Sequence, residues 1–286
     1  MFENYITDIN GIWKNIVVVA AGNEGDSRHH VRTDVSSNIN RTEFAIGDNE
    51  KNIRLFIWKY FQDEFEIYLN TPSGKRINIS NDVTVSSQRE NIESVLAMPT
   101  PYTSKQLVEV SIRPGNSLDY VISGIWSIEF AVTGTIKCGI VDMWLPTIEA
   151  IGLSTGFLRP SPDTTVTIPA TARKVLSVGA FNQDAGSMAT FSGRGYTADG
   201  RLVPLIAAYG VDVTAAGYGG GYVRKTGTSF AAPKISGYAA CIMEWGIVRR
   251  NDENMYGEKL IAYMTRYAVG IEGEEMPGIR QGWGLI

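Results

Sequence analysis

The chain reads GTSFAAPKISG over residues 227–237, and this stretch places a serine at the start of a predicted helix. Gly227 permits the tight turn that precedes such a helix. The free N–H groups at the helix N-terminus, together with the helix dipole, favour negative charge that develops beside Ser229. Taken alone, however, Gly-Thr-Ser favours an ordinary capped helix, because serine is a preferred N-cap residue.

A second stretch, VVAAGNEG at residues 18–25, joins an apolar run to a sharp turn. The β-branched run over residues 16–19 follows a helix-like stretch over residues 2–13, and it is typical of a strand buried on both faces, as in a parallel α/β sheet. The apolar run over residues 175–180 predicts another buried strand of this kind. Gly22 and Gly25 flank the segment that contains Asn23, and they indicate the turn. Without further context this segment favours a plain turn.

Together, and in this order along the chain, the two stretches resemble the oxyanion-hole segment and the nucleophile segment of the subtilisin-like serine proteases, the subtilases. The resemblance extends to residues 178–181, 191–195 and 281–286 and covers roughly 1–32 and 161–286. Leu205 and Tyr209 stand where the family commonly has Asp and Pro, so a local difference in loop shape is expected.

The resemblance implies a role for each position that matches the family motifs. Ser229 is expected to be the nucleophile and Asn23 to donate a hydrogen bond to the oxyanion. Thr228 and Gly227 are expected to support the oxyanion site. One wall of the substrate pocket is expected to consist of Ala20, Ala21 and Gly22.

The region over residues 33–160 has a different pattern, in which short alternating segments are separated by turn residues. This pattern predicts an antiparallel sandwich or jelly roll. The predicted fold is therefore part of a subtilisin-like α/β parallel-sheet domain (1–32 and 161–286) interrupted by a jelly-roll-like β-sandwich (33–160). An insertion at this point resembles the Csp-type germination proteases of spore-forming clostridia. The resemblance implies a protein substrate, such as a germination proenzyme, and an extracellular or spore-associated location.

A serine nucleophile needs a base, and the base needs an orienting carboxylate. The Asp-Ser/Thr-Gly and His-Gly-Thr motifs that carry them in subtilases do not occur in this sequence. Asp8, Asp26 and Asp34 lack the flanking residues of the family Asp. We therefore expect a truncated protease domain that is inactive alone, with its partner being the missing N-terminal part. The alternative is a catalytically dead relative that acts as a binding or sensor module.

The only two histidines, His29 and His30, follow the asparagine segment and are out of family order. A surface loop near the substrate cleft is the favoured interpretation, while a catalytic base or a metal- or pH-sensing site remains open.

Cys138 and Cys241 are interpreted as buried small hydrophobes, with a disulfide as the alternative. A third functional interpretation gives the β-region a carbohydrate- or peptide-binding role. The candidate stacking residues are Trp58, Tyr60, Tyr102 and Trp126. Core packing is the favoured role for most of these aromatic side chains.

Composition excludes several classes of function. Twenty-six Lys and Arg against 30 Asp and Glu give a net charge of −4, without the basic block that a nucleic-acid-binding protein needs. No apolar run is long enough to cross a bilayer. No compact oxygen-ligand loop is present, so no metal or cofactor is predicted.

Overall fold

The computed structural model describes residues 14–36, 40–101 and 103–286. The helix predicted over residues 2–13, together with Asp8 and Tyr102, lies outside these residues. Within the described part of the chain, no helix combines the length and apolarity that a membrane crossing requires.

The chain divides into two compact units, which are described separately. Unit 1 comprises Met1–Asp26 and Asp163–Ile286, and unit 2 comprises Ser27–Pro162. The strands are β1 (Val18–Ala20), β2 (His30–Asp34), β3 (Arg41–Ile46), β4 (Ile53–Tyr60), β5 (Phe65–Asn70), β6 (Arg76–Asn78), β7 (Val83–Ser86), β8 (Glu90–Ala97), β9 (Lys105–Pro114), β10 (Gly124–Val132), β11 (Ile140–Trp144), β12 (Gly156–Phe157), β13 (Leu176–Asn182), β14 (Ser187–Met188), β15 (Ile206–Tyr209), β16 (Val213–Ala216) and β17 (Tyr222–Lys225). The helices are α1 (Thr228–Met243), which continues as a π-helical turn over Glu244–Val248, and α2 (Gly257–Tyr267).

Unit 1 contains a small parallel sheet. Strand β13 pairs in parallel with β1 on one side and with β15 on the other, and β14 extends it by an antiparallel pair. Six of the seven residues of β13 are buried, as predicted for the apolar run that begins at Val175. All three residues of β1 are only half-buried, which differs from the prediction of a strand covered on both faces. Among the described strands, β1 has a neighbour on one side only.

Helix α1 packs one face into the core of unit 1. Its buried residues are small apart from Ile235, and they contact apolar side chains from β13 and β15 and from α2. A second face, which begins with Ser229, is exposed; its members are Pro233, Ser236, Gly237, Ala240 and Cys241. We call these residues the small-residue stripe. Pro233 lies in the second turn and has no backbone N–H. The Ser229 carbonyl therefore does not accept the hydrogen bond that the residue four positions later normally donates.

The prediction for the two cysteines is wrong, since both are free and both are exposed. Cys241 is exposed because it belongs to the small-residue stripe and not to the buried face of α1. Cys138 lies just before β11, where the chain runs along the surface of unit 2.

Unit 2 is a β-sandwich. One antiparallel sheet has the order β12-β3-β10-β5-β6 and the other has the order β2-β11-β4-β9-β8-β7. Alternate residues of each sheet are buried, and those of both sheets meet in one core. Trp126 is fully buried in this core, so it cannot stack on a ligand, whereas Trp58 and Tyr60 are half-buried. The more specific description as a jelly roll stays a prediction.

Candidate active site

Ser229 is the second residue of α1, and its side chain is exposed. The preceding turn depends on Gly227, whose φ of 148° lies in a region that L-residues with side chains rarely adopt. In the described part of the chain, the Ser229 hydroxyl has no hydrogen-bond partner. Its backbone N–H lies in the first turn of α1, where amide groups have no acceptor within the helix. Both groups are therefore available at the positive end of the helix dipole.

The side chain of Asn23 is fixed at this helix tip by Thr228. The Asn23 Oδ1 atom accepts hydrogen bonds from the Thr228 backbone N–H and from the Thr228 hydroxyl, both at 3.0 Å. The same hydroxyl accepts a hydrogen bond from the Gly22 N–H at 3.2 Å. Because both donors engage Oδ1, the Nδ2 amide group is turned away from Thr228 and remains free as a donor. Thr228 is completely buried, which protects this arrangement from water.

Gly227 also leaves space in front of the Asn23 amide. A Cβ atom built on Gly227 would lie 3.6 Å from Asn23 Nδ2, in van der Waals contact with the free donor. A larger side chain would extend into the space that an incoming oxygen needs. The sequence motif and the geometry therefore require glycine for two separate reasons, backbone conformation and access.

The segment Ala20–Gly22 is held from two sides by backbone hydrogen bonds. Ala21 donates to the Val178 carbonyl at 2.9 Å and accepts from the Thr167 N–H at 3.0 Å. Gly22 accepts from the Gly193 N–H at 2.9 Å. These bonds join the asparagine turn to β13 and to the segment over residues 191–195.

Thr167 is a neighbour of the site that the sequence did not indicate. A Cβ built on Gly22 would lie 2.3 Å from Thr167 Oγ1, and Gly22 has a φ of 93°. Thr167 thus contacts the Cα of Gly22 directly and lies beside the predicted pocket wall. No sequence signal identifies this contact, because it depends on the backbone conformation of Gly22.

A partly buried cation, Arg194, lies near the same turn. The Arg194 side chain donates to the Thr190 carbonyl at 3.2 Å, and its backbone N–H donates to Thr165 Oγ1 at 3.0 Å. Burial, together with the nearby charge of Arg280, lowers the pKa of the Arg194 guanidinium below its ordinary value. A guanidinium has so high an intrinsic pKa that Arg194 stays charged at neutral pH.

The prediction that the two histidines lie in a surface loop is wrong. His29 is 4% exposed and His30 is 2% exposed, and both belong to unit 2. His30 begins β2, is paired with Trp144 of β11 and stacks on its indole at a centroid distance of 4.7 Å. The His29 Nε2 atom lies 3.3 Å from the Thr155 carbonyl. Both rings are therefore part of the folded interior of the sandwich.

His30 is also part of a charged cluster around Asp142, which is completely buried. The His30 Nε2 atom lies 3.3 Å from Asp142 Oδ1, and the His30 Nδ1 atom lies 3.3 Å from the Ser161 carbonyl oxygen. Arg32 and Lys105 approach the same carboxylate at 2.7 Å and 3.2 Å. Burial alone would raise the pKa of Asp142, but the hydrogen bonds from His30 and Arg32 and the charge of Lys105 hold it well below its usual range.

A hydroxyl at a helix tip, beside a fixed carboxamide donor, is the arrangement that serine proteases use for acyl transfer. Residues 154–284 match the model of the Subtilase family. Within the described residues, no group of His, Cys, Asp and Glu side chains has the arrangement of a metal site.

Solved structures resemble the chain to different extents. The CspB protease of Clostridium perfringens is 34% identical with a TM-score of 0.90, over 100% of this chain and 60% of that protein's chain. The prenylagaramide maturation protease PagA is 29% identical over 43% of this chain and 43% of its own, with a TM-score of 0.38. The patellamide maturation protease PatA is 30% identical over 43% of this chain and 44% of its own, with a TM-score of 0.37. The chain thus spans 60% of the length of the CspB chain that it matches.

Proposed function

We propose that this chain supplies the nucleophile and the oxyanion-stabilising groups of a subtilisin-like serine endopeptidase. The observation that carries the proposal is the pair of hydrogen bonds from Thr228 to Asn23 Oδ1, which fixes a free amide donor at the tip of the helix that bears Ser229. Each of these groups has a defined task in acyl transfer.

In the proposed mechanism the Ser229 hydroxyl attacks the scissile carbonyl carbon of a polypeptide and gives its proton to a histidine base. The carbonyl oxygen becomes an oxyanion and accepts hydrogen bonds from Asn23 Nδ2 and from the Ser229 N–H. The histidine then protonates the leaving amine, and water releases the acyl group by the reverse sequence. Ala20, Ala21 and Gly22 form one wall of the pocket for the substrate side chain.

The base is proposed to come from the part of a subtilase domain that this chain does not contain. His29 and His30 are both engaged inside the sandwich, so neither is free to serve Ser229. Two surfaces of unit 1 suit a covering element. The outer edge of β1 can accept a further parallel strand, and the small-residue stripe permits close approach of a helix beside Ser229. The chain alone is therefore expected not to hydrolyse peptides.

An organophosphorus probe tests the nucleophile directly. The complete protein is incubated with a fluorophosphonate, and the labelled peptide is identified by mass spectrometry. We expect the label on Ser229 and no label after Ser229→Ala, while Ser236→Ala, which changes another serine of α1, retains it. The chain alone should be labelled poorly, since it lacks a base. Label on another residue, or efficient peptide hydrolysis by the chain alone, would contradict the proposal.

The proposed substrate is another protein, with a spore-germination proenzyme as the specific candidate, and the proposed location is extracellular or spore-associated. The support is the 34% identity to the CspB protease and the order along the sequence, in which the sandwich follows the first segment of unit 1 and precedes the second. Incubating the complete enzyme with candidate proforms and sequencing the new N-termini tests this assignment. A set of proforms that remains intact beside a readily cleaved generic peptide would exclude it.

A catalytically dead relative is the second candidate function. The observation that favours it is that both histidines of this chain are bound within the sandwich. In that case Ser229 in the complete protein would resist the fluorophosphonate, whereas ligand binding would survive Ser229→Ala.

A further inference from the structure

The β16–β17 hairpin leads directly into the nucleophile turn. Its strands pair antiparallel, with Val213 opposite Lys225. The base of the hairpin is tied to the turn by two hydrogen bonds, from the Gly227 N–H to the Gly210 carbonyl at 2.8 Å and from the Asp212 N–H to Thr226 Oγ1 at 3.1 Å. A ligand bound to the hairpin is therefore held at a fixed distance from Ser229.

One face of the hairpin is entirely exposed. Thr214 is opposite Arg224 and Ala216 is opposite Tyr222, and these four side chains share a face because side chains alternate along a strand. Tyr222 is 83% exposed, and its small neighbours Thr214 and Ala216 leave both the phenol ring and the Arg224 guanidinium uncovered. At the tip of the hairpin, Tyr218 is fully exposed. We call this face the hairpin platform.

The hairpin as a whole is positively charged, and Arg224 is the cation on the platform face. Residues 213–225 include Arg224 and Lys225 and no Asp or Glu. In the described part of the chain, neither cation forms an ion pair. Tyrosine and arginine are enriched at protein–protein interfaces, and a guanidinium binds a carboxylate through two parallel hydrogen bonds.

We propose that the hairpin platform binds an acidic segment of the polypeptide substrate, an assignment that rests on the proposed endopeptidase function. The Arg224 guanidinium pairs with an Asp or Glu side chain, and the Tyr222 ring packs against the neighbouring residue of the substrate. Arg224 precedes Ser229 by five positions, which limits their Cα separation to about 18 Å. The recognised carboxylate therefore lies within about six residues of the scissile bond in an extended substrate.

Peptide binding tests the proposal without requiring catalysis. Fluorescein-labelled peptides are prepared with one Glu at successive positions, each matched by the Gln peptide, and binding to this chain is measured by fluorescence anisotropy. We expect the Glu peptides to bind more tightly at one or two positions and Arg224→Glu to weaken them about tenfold. Arg224→Lys should retain most of the preference, and added salt should reduce it, as for an exposed ion pair.

Lys174→Glu provides the matched control. Lys174 is exposed, forms no ion pair with the described residues and precedes the amino end of β13. The asparagine turn follows the carboxyl end of β1, which runs parallel to β13. Lys174 therefore lies at the amino ends of these strands, and the asparagine turn lies at their carboxyl ends. This variant makes the same change in net charge and should leave the Glu preference unchanged.

The outcomes separate this proposal from the proposed function. Equal binding of Glu and Gln peptides, or a preference that survives Arg224→Glu, would overturn the hairpin assignment even if the fluorophosphonate labels Ser229. A preference lost in Arg224→Glu would support the hairpin platform even if Ser229 is not labelled. Circular dichroism checks the fold of each variant, and Arg224→Gln replaces Arg224→Glu if the latter does not fold.

Discussion

The two units of this chain differ in how completely each buries its own strands and helices. In unit 2, two antiparallel sheets enclose one core, and its largest side chains are almost fully buried; they are Trp126, Phe44, Phe130 and Phe157. In unit 1, the core is built around the alanine-rich face of α1, while the outer strand β1 is half-buried and the small-residue stripe is exposed. Unit 2 has the organisation of a self-sufficient domain, whereas the described part of unit 1 leaves one strand edge and one helix face uncovered.

This difference matches a division between stability and chemistry. In unit 2, Arg32 and Lys105 neutralise the buried carboxylate of Asp142, so these charged groups stabilise the fold. In unit 1, the Ser229 hydroxyl and the Asn23 Nδ2 group have no partner among the described residues, so both are available to a ligand. Five experiments test this contrast.

The largest expected effect is that of Asp142→Asn on unit 2. Removing the carboxylate leaves Arg32 and Lys105 near a buried amide, and breaking a buried ion pair costs about 4 kcal/mol. Hydrogen exchange with mass spectrometry should show lower protection in the strands of unit 2 and little change in α1. Glu129→Gln, which changes a partly exposed ion pair with Arg76, is the control and should have a small effect. Equal loss of protection in both units would contradict the contrast.

The converse experiment is Asn23→Ala in the complete enzyme. Loss of one oxyanion donor should lower kcat by about 10² to 10³, a magnitude established for the corresponding donor of subtilisin. The thermal unfolding of unit 2 should not change, because Asn23 belongs to unit 1. Asn254→Ala, at an exposed position of unit 1, is the control. An unchanged kcat in Asn23→Ala would remove Asn23 from the oxyanion site.

Acid should destabilise unit 2 through Asp142. The pKa of Asp142 is lower in the folded state than in the unfolded state, so its contribution is complete above the unfolded value of about 4 and is lost as the pH falls below it. The expected loss between pH 5 and pH 2 is on the order of 2 kcal/mol. Urea unfolding at a series of pH values measures it, and Asp142→Asn should flatten the dependence in this range. The same slope in the variant would assign the effect to other groups.

A smaller effect is expected for Thr228→Val in the complete enzyme. This change removes the hydroxyl that donates to Asn23 Oδ1 and accepts from Gly22, while it keeps the branched shape. Loss of one positioning hydrogen bond of about 1.4 kcal/mol corresponds to roughly a tenfold lower kcat. Thr228→Ser retains a hydroxyl and should recover most of the activity. If the serine variant is as slow as the valine variant, the hydroxyl does not position Asn23.

The smallest effect concerns the two cysteines as surface probes. Cys241 lies on the small-residue stripe of unit 1, and Cys138 lies on the surface of unit 2. Alkylation with iodoacetamide should modify both in this chain, and in the complete protein Cys241 alone should react several-fold more slowly. Quantitative mass spectrometry measures the two rates in the same sample. Unchanged reactivity of Cys241 would exclude a covering element at the stripe.

Local patterns predicted the elements that carry the site. The apolar run from Val175 predicted β13, and the Gly-Thr-Ser motif predicted the start of α1, because turn chemistry and periodicity act within a few residues. Solvent exposure was predicted less well. His30 is buried because it pairs with Trp144 and bonds Asp142, which is 112 positions away in sequence, and no local pattern reports such a partner.

Other properties depended on backbone geometry or on an unfilled surface. Thr167 was not identified because its contact requires the positive φ of Gly22. Cys241 was assigned to the core because cysteine is commonly buried, whereas it lies on the uncovered face of its helix. The candidate site residues are indicated by their motifs, whereas the hydrogen bonds that orient them depend on contacts between segments far apart in sequence.

The bond between Thr228 and Asn23 joins positions that are 205 residues apart. A ribosome must therefore synthesise the segment that contains Thr228 before the Asn23 amide can be oriented. Until α1 emerges, the growing polypeptide has neither the Ser229 hydroxyl nor the partner that fixes the Asn23 side chain. The topology thus postpones assembly of the candidate site until the asparagine turn, unit 2 and α1 have all been synthesised.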